Sequence, residues 1–423
     1  MKKVLTLMLL ITATAQLSLA QLSPVITSWI INTTGQKGLG QSADTILANV
    51  QIVQYNDSNV YISCTCIPGY DVGPFSGNPN VPLNQNFVFK ITRSPEQNLD
   101  TPKVVGMGHI GIWTNGVSIF NALDGHSYDS DNVWFQNAFY FEGVSFDACL
   151  GHPQQNGEYH HHINPKCLYN AADSTHHSPI IGWAFDGFPI YGAYGYADTN
   201  GTGGIKRMRS SFQLRNITTR DTLPNGTASS AVGPPVSVQY PLGDYVQDYA
   251  FIQGSGDLDV HNGRFCVTPD YPNGIYAYFV TIDSALNAVY PYVLGLTYYG
   301  TVQPGNVDGP GSGPPGTSGH NTITGTDTIY NPAAGIAGVN DHIKFELAPN
   351  PTAGFTYIYF DPLSINNIKG TLYSSEGKLM RTIENLQPSI SYALDMSSYP
   401  AGVYFLHLDA GSVSEVQRIV KTK

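Results

Sequence analysis

The sequence predicts a mainly β protein: a large β-rich domain, a flexible linker and a small Ig-like β-sandwich. Three observations carry this. Gly (44), Pro (28) and Tyr (27) are abundant while only 12% of residues are charged, a composition that supplies turns and half-buried pleated surfaces rather than amphipathic helices. Short apolar runs alternate with polar residues at period two, and helical periodicity is nowhere convincing. A Gly/Pro-rich stretch then divides the runs into two groups.

The chain opens with Met1-Lys2-Lys3, an apolar run from Val4 to Thr14, and Ser18-Leu19-Ala20 before Gln21. This charged, apolar, small-residue order reads as a secretory signal over residues 1–20, cleaved after Ala20. Its apolar core falls well short of the ~20 residues of a bilayer span, so the mature chain is expected to carry no integral membrane span. The formal net charge is -11, and losing Lys2 and Lys3 deepens it. Basic and acidic residues balance from Lys344 onward, so the excess negative charge lies before that point. Nucleic acid and anionic lipid both require a positive footprint, whereas an acidic domain suits cations.

The large domain is expected over 21–302. Ile46-Leu47-Ala48-Asn49-Val50-Gln51-Ile52-Val53, Val60-Tyr61-Ile62, Phe87-Val88-Phe89-Lys90-Ile91 and Gly111-Ile112-Trp113 read as strands, with Asn115-Gly116 as a tight turn. Ile275-Tyr276-Ala277-Tyr278-Phe279-Val280 reads as a buried strand. The stretch 303–343, with Gly309-Pro310-Gly311-Ser312-Gly313-Pro314-Pro315-Gly316, is expected to be a linker because it offers little apolar surface to bury.

The tail, 344–423, runs through Ala348-Pro349-Asn350-Pro351, Glu376-Gly377-Lys378, Pro400-Ala401-Gly402-Val403-Tyr404 and Arg418-Ile419-Val420-Lys421. In that order these residues resemble the C-terminal sorting domain (type A) of type IX secretion substrates. The resemblance implies the type IX secretion machinery as a partner. It also implies a secreted or cell-surface location, reached through the periplasm and outer membrane of a Gram-negative bacterium.

Six of the twelve histidines lie between 152 and 177: His152, His160, His161, His162, His176 and His177. In an extended Glu158-Tyr159-His160-His161-His162, alternation sends His160 and His162 to one face and His161 to the other. Two neutral imidazoles on one face can share a metal ion, with His152 and His177 completing the set and Asp186 as an anionic ligand or a support for a ligand ring. Copper or zinc is the expected ion. Cys149 and Cys167 bracket the cluster, and a disulfide between them would close a short loop worth about 3 kcal/mol. Cys64 or Cys66 with Cys266 is the next pairing, and thiolate ligation of a soft metal is the rival use of the cysteines.

The runs Asp147 to Pro153, Gly157 to His162 and His177 to Gly192, with further runs spread over most of residues 60 to 300, resemble the YHYH-domain proteins. The matching residues are Asp147-Ala148-Cys149-Leu150-Gly151-His152-Pro153, Gly157-Glu158-Tyr159-His160-His161-His162 and His177-Ser178-Pro179-Ile180-Ile181-Gly182-Trp183-Ala184-Phe185-Asp186-Gly187-Phe188-Pro189-Ile190-Tyr191-Gly192. Asn115-Gly116-Val117, Asn262-Gly263-Arg264 and Gly274-Ile275-Tyr276-Ala277-Tyr278-Phe279 match as well. His161 stands where the family motif has tyrosine. The resemblance implies fold kinship and a histidine motif, while the metal is inferred from the residues themselves.

Asp147 and Glu158 flank the cluster as candidate acid or base groups. Arg264 is expected as an internal ion-pair partner. No Gly-x-Ser-x-Gly elbow, P-loop, Rossmann fingerprint or His-Glu-x-x-His occurs. The functional expectation is therefore an exported metal-binding protein. A metal-dependent hydrolase or oxidase using the same cluster is one alternative, and a surface adhesin with a structural cluster is the other.

Overall fold

The computed structural model describes residues 22–307, 318–324, 327–332, 343, 345–360, 368–387, 391–410 and 413–423. The expected signal at 1–20 lies outside the described residues, as does much of the expected linker. Among the described residues the chain is mainly β, with α-helix confined to Pro24–Thr27 and Ala138–Phe141.

The large domain is organised around an eight-stranded sheet. Its spatial order is His152–Pro153, Tyr159–His161, Ser118–Phe120, His109–Trp113, Ile180–Ala184, Pro189–Tyr191, Ile275–Phe279 and Gly263–Cys266. Neighbours are antiparallel except Tyr159–His161 beside Ser118–Phe120 and Pro189–Tyr191 beside Ile275–Phe279. The central strands are buried along their whole length, which is why they read as continuous apolar runs rather than alternating ones. A four-stranded sheet of Thr328–Ile329, Val50–Tyr55, Asn59–Cys64 and Phe87–Thr92 accompanies it, and both contribute to one core that includes Val60, Ile62, Phe89, Ile112, Trp113, Trp183 and Tyr278.

Part of the stretch expected as linker is docked on this domain. Thr328–Ile329 pairs with Val50–Tyr55, Asn321 donates from its backbone N–H and its side-chain amide to the Val88 carbonyl, and Val88 N–H donates to the Gly319 carbonyl. Backbone pairing needs little apolar side-chain area, so a Gly-rich composition does not forbid it.

A fully buried ion pair organises the long loops before the last strands. Arg220 donates through Nε and Nη2 to the two carboxylate oxygens of Asp248, each at 2.8 Å. Its remaining N–H groups go to the carbonyls of Pro234, Tyr240 and Pro241.

Among the described residues, the C-terminal part is a seven-stranded antiparallel sandwich. Phe345–Ala348, Phe355–Phe360 and Tyr392–Asp395 face a sheet ordered Leu379–Leu386, Ile368–Ser374, Gly402–Ala410 and Val413–Lys421. Ile358, Leu372, Leu394, Leu406, Leu408 and Ile419 fill its separate core.

Candidate metal centre

The edge of the eight-stranded sheet brings the histidines together. His152–Pro153 and Tyr159–His161 form a hairpin in which His152 stands opposite His160. The turn closes through Gly157, whose φ of 81° favours glycine and whose N–H donates to the Gln154 carbonyl at 2.8 Å. Alternation then sends His160 and His162 to one face. His161 turns the other way, toward Tyr70, Trp113 and Tyr159.

On the first face His160 Nε2 lies 3.1 Å from His152 Nε2 and 3.1 Å from His162 Nε2. Glu142 joins them, with Oε2 at 2.9 Å from His152 Nε2 and 3.3 Å from His162 Nε2. All four donor atoms fall within 4.8 Å of one another. A tetrahedral ion with bonds of about 2.0–2.1 Å would space its ligands about 3.3–3.4 Å apart, and the four separations given above, 2.9 to 3.3 Å, lie near that spacing.

The opposite nitrogen of each ring fixes its tautomer. His160 Nδ1 donates to the Glu158 carbonyl at 3.0 Å and His162 Nδ1 to the Asn121 carbonyl at 2.5 Å. Ser145 gives its single proton to the Glu142 carbonyl, so its oxygen accepts from His152 Nδ1 at 2.6 Å. In the neutral state every Nε2 therefore presents a lone pair. Three lone pairs and a carboxylate oxygen converge with no donor among them, an arrangement that calls for a cation.

Electrostatics point the same way. Burial holds His160 well below the ordinary imidazole value, and the neighbouring His152 and His162 add to this. Burial also lowers His152, against the opposing pull of Glu142. Burial alone would raise Glu142, but a proton taken up at Nε2 of His152 or His162 would face its carboxylate as a hydrogen-bond donor and a positive charge, and this outweighs burial and holds the carboxyl low. Phe120 stacks on His160 at 3.8 Å and Phe146 packs edge-on against His152 at 4.8 Å, walling the site with apolar surface. Glu142 forms the more open side, its side chain 24% exposed.

A further layer steadies the hairpin. Glu158 binds His109 at 3.1 Å and Gln154 at 2.7 Å, and His109 reaches Ser318 at 2.5 Å. Asp147 accepts from Tyr159 Oη and from the backbone N–H groups of Gly73, Cys149 and Gly151. Both carboxylates considered as acids or bases are thus spent on structure. Cys149 and Cys167 are joined, with Cα atoms 5.2 Å apart. Cys64, Cys66 and Cys266 are free and buried, so the further pairing of Cys266 does not form.

Two residues expected at the site lie elsewhere. His177 donates from Nδ1 to the Ser178 carbonyl and packs among Tyr191, Tyr196 and Phe279. Asp186 accepts from Tyr278 Oη at 2.5 Å and from the N–H groups of Gly300 and Phe188. Neither belongs to the four-donor group, because the Ile180–Ala184 and Pro189–Tyr191 strands near them sit in the middle of the sheet. Arg264 serves the carbonyls of Tyr196 and Ala197 rather than an acid. Glu142 had no sequence signal. It is the C-cap of a four-residue helix, in a segment without a metal-ligand pattern.

Residues 88–291 match the family model described as YHYH protein. Residues 346–422 match the secretion system C-terminal sorting domain. No curated protein matches the chain.

Proposed function

Starting from a YHYH-family protein that ends in a secretion sorting domain, we propose that the chain is exported to hold one copper or zinc ion. His152, His160, His162 and Glu142 are its ligands. The sorting domain implies engagement with the type IX secretion machinery. The observation that carries the reading is the convergence of three tautomer-fixed Nε2 atoms and one carboxylate oxygen. His177 and Asp186 have no place in this ligand set.

Four protein donors complete a tetrahedral shell, which favours holding an ion over turning over a substrate at an open position. The apolar walls of Phe120 and Phe146 favour the same role. The test is elemental analysis of the exported chain, purified without an affinity histidine tag, beside a His160→Ala/His162→Ala variant. About one copper or zinc per chain, lost in the variant, is expected. Equal metal in both proteins, or none in the wild type, would overturn the assignment.

A further inference from the structure

The hairpin that carries the histidines is tied to a segment far along the chain. Glu158 is held on both carboxylate oxygens, Oε1 by His109 Nδ1 at 3.1 Å and Oε2 by the Gln154 side-chain amide at 2.7 Å. Its carbonyl is the acceptor that fixes the His160 tautomer. His109 Nε2 in turn lies 2.5 Å from Ser318 Oγ, which is also bound to the Asn306 carbonyl at 2.7 Å. His109, Glu158 and Ser318 are all buried, so water cannot replace a bond that any of them loses.

Residues 318–321 are seated on the fold as a strap. Phe87–Thr92 is an edge strand of the four-stranded sheet, and the strap bonds to it: Val88 N–H donates to the Gly319 carbonyl at 2.7 Å, and Asn321 N–H donates to the Val88 carbonyl at 3.0 Å. Gly319 N–H donates to the Gly305 carbonyl, and the Asn321 amide to Asn306 Oδ1. Gly319 has a φ of 74°, and a Cβ there would fall 2.8 Å from the Phe89 ring and 3.0 Å from the Phe87 ring. Glycine lets the backbone lie against both rings. The same two rings pack on His109, with centres 5.2 and 5.4 Å away.

A seated strap therefore holds His109 by a hydrogen bond and by packing, and His109 holds the residue whose carbonyl orients His160. His160 is the middle ligand, its Nε2 3.1 Å from those of both His152 and His162. On the metal-binding reading given above, we infer that Ser318 and Gly319 are positioning residues for the metal centre. They keep His160 in its ligating orientation through His109 and Glu158, and metal affinity depends on the strap being seated. The metal-binding unit thus extends past residue 302, where composition alone ends it.

The test is the zinc affinity of the full exported chain, measured by competition with a chromophoric chelator, for the wild type, Ser318→Ala and Gly319→Val. Loss of an outer-layer partner costs a metal site about 10–100-fold in affinity. Gly319→Val, which lifts the strap, should weaken zinc about tenfold, and Ser318→Ala, one bond further from the ligand than Glu158, several-fold. With saturating cobalt(II) both variants should show shifted visible bands, because a turned imidazole changes the ligand field. Wild-type zinc affinity in either variant would overturn the proposal. So would weakened zinc with an unchanged cobalt spectrum, the mark of a general loss of stability. If Gly319→Val fails to fold, Ser318→Ala decides. A wild-type chain that takes up no zinc would instead refute the metal centre itself, a result distinct from a metal-binding chain indifferent to its strap.

Discussion

Replacing Glu142 by glutamine separates a metal ligand from a structural carboxylate, because it changes the metal-free and metal-bound proteins in opposite directions. Without metal above neutral pH, the wild type holds three lone-pair nitrogens and a carboxylate oxygen within 4.8 Å. A glutamine amide brings N–H donors into that ring of acceptors, so the metal-free variant should melt at or above the wild-type temperature. With metal the order reverses. Loss of an outer-layer partner costs a metal site about 10–100-fold in affinity, and losing an anionic ligand should cost at least the upper figure, about 2.7 kcal/mol. At about 2–4 °C per kcal/mol for a domain of this size, the metal-induced rise in Tm should shrink by about 5–11 °C. Scanning calorimetry at pH 8, with zinc and with chelator, reads both effects. If the variant were destabilised equally in both conditions, Glu142 would be a structural carboxylate and the ligand assignment would fail.

Other outcomes follow from buried groups. Burial pushes His177 from the ordinary 6.5 down to about 4, so between those values the unfolded chain takes up a proton that the native chain refuses. Its contribution to stability is constant above the unfolded value, falls as pH drops toward 4, and amounts to about 1.4 kcal/mol per pH unit within that window. His177→Gln should flatten the denaturant-derived stability slope between pH 5.5 and 4.5 by about that much; an unchanged slope would mean the ring is not held neutral. Arg220→Met leaves Asp248 buried without its cation and should cost about 3–5 kcal/mol by urea unfolding, whereas a loss below about 1 kcal/mol would mark the pair as solvated. Cys149→Ser/Cys167→Ser should lower stability by about 3 kcal/mol under non-reducing conditions, with no comparable loss when the two proteins are compared after reduction.

The β class and the facing of His160 and His162 were legible because both depend on local periodicity. Strand alternation at His160-His161-His162 needs no knowledge of the rest of the chain, and His152 sits opposite His160 through a short turn. Sequence proximity misled at His177 and Asp186. Their segments feed strands in the interior of the sheet, where one ring nitrogen of His177 finds a carbonyl and the Asp186 carboxylate finds a tyrosine hydroxyl and two backbone donors. Glu142 was illegible for the opposite reason. A one-turn helix has no periodicity to read, and only the three-dimensional path from Ala138–Phe141 to the hairpin places its cap among the imidazoles. The docking of residues 318–321 was hidden because Ser318 and Asn321 bind polar groups of the large domain, which no apolar pattern announces.

The disulfide between Cys149 and Cys167 spans a separation of 18 residues, and His152, His160 and His162 all lie inside it. Three of the four proposed ligands therefore belong to one covalent macrocycle. The entropy of gathering them is spent at oxidation, so a metal-free chain would keep them gathered rather than on a loose loop. In a reducing compartment the ring stays open and this preorganisation is missing. On the proposed function, the cross-link would reserve tight metal capture for an oxidising environment.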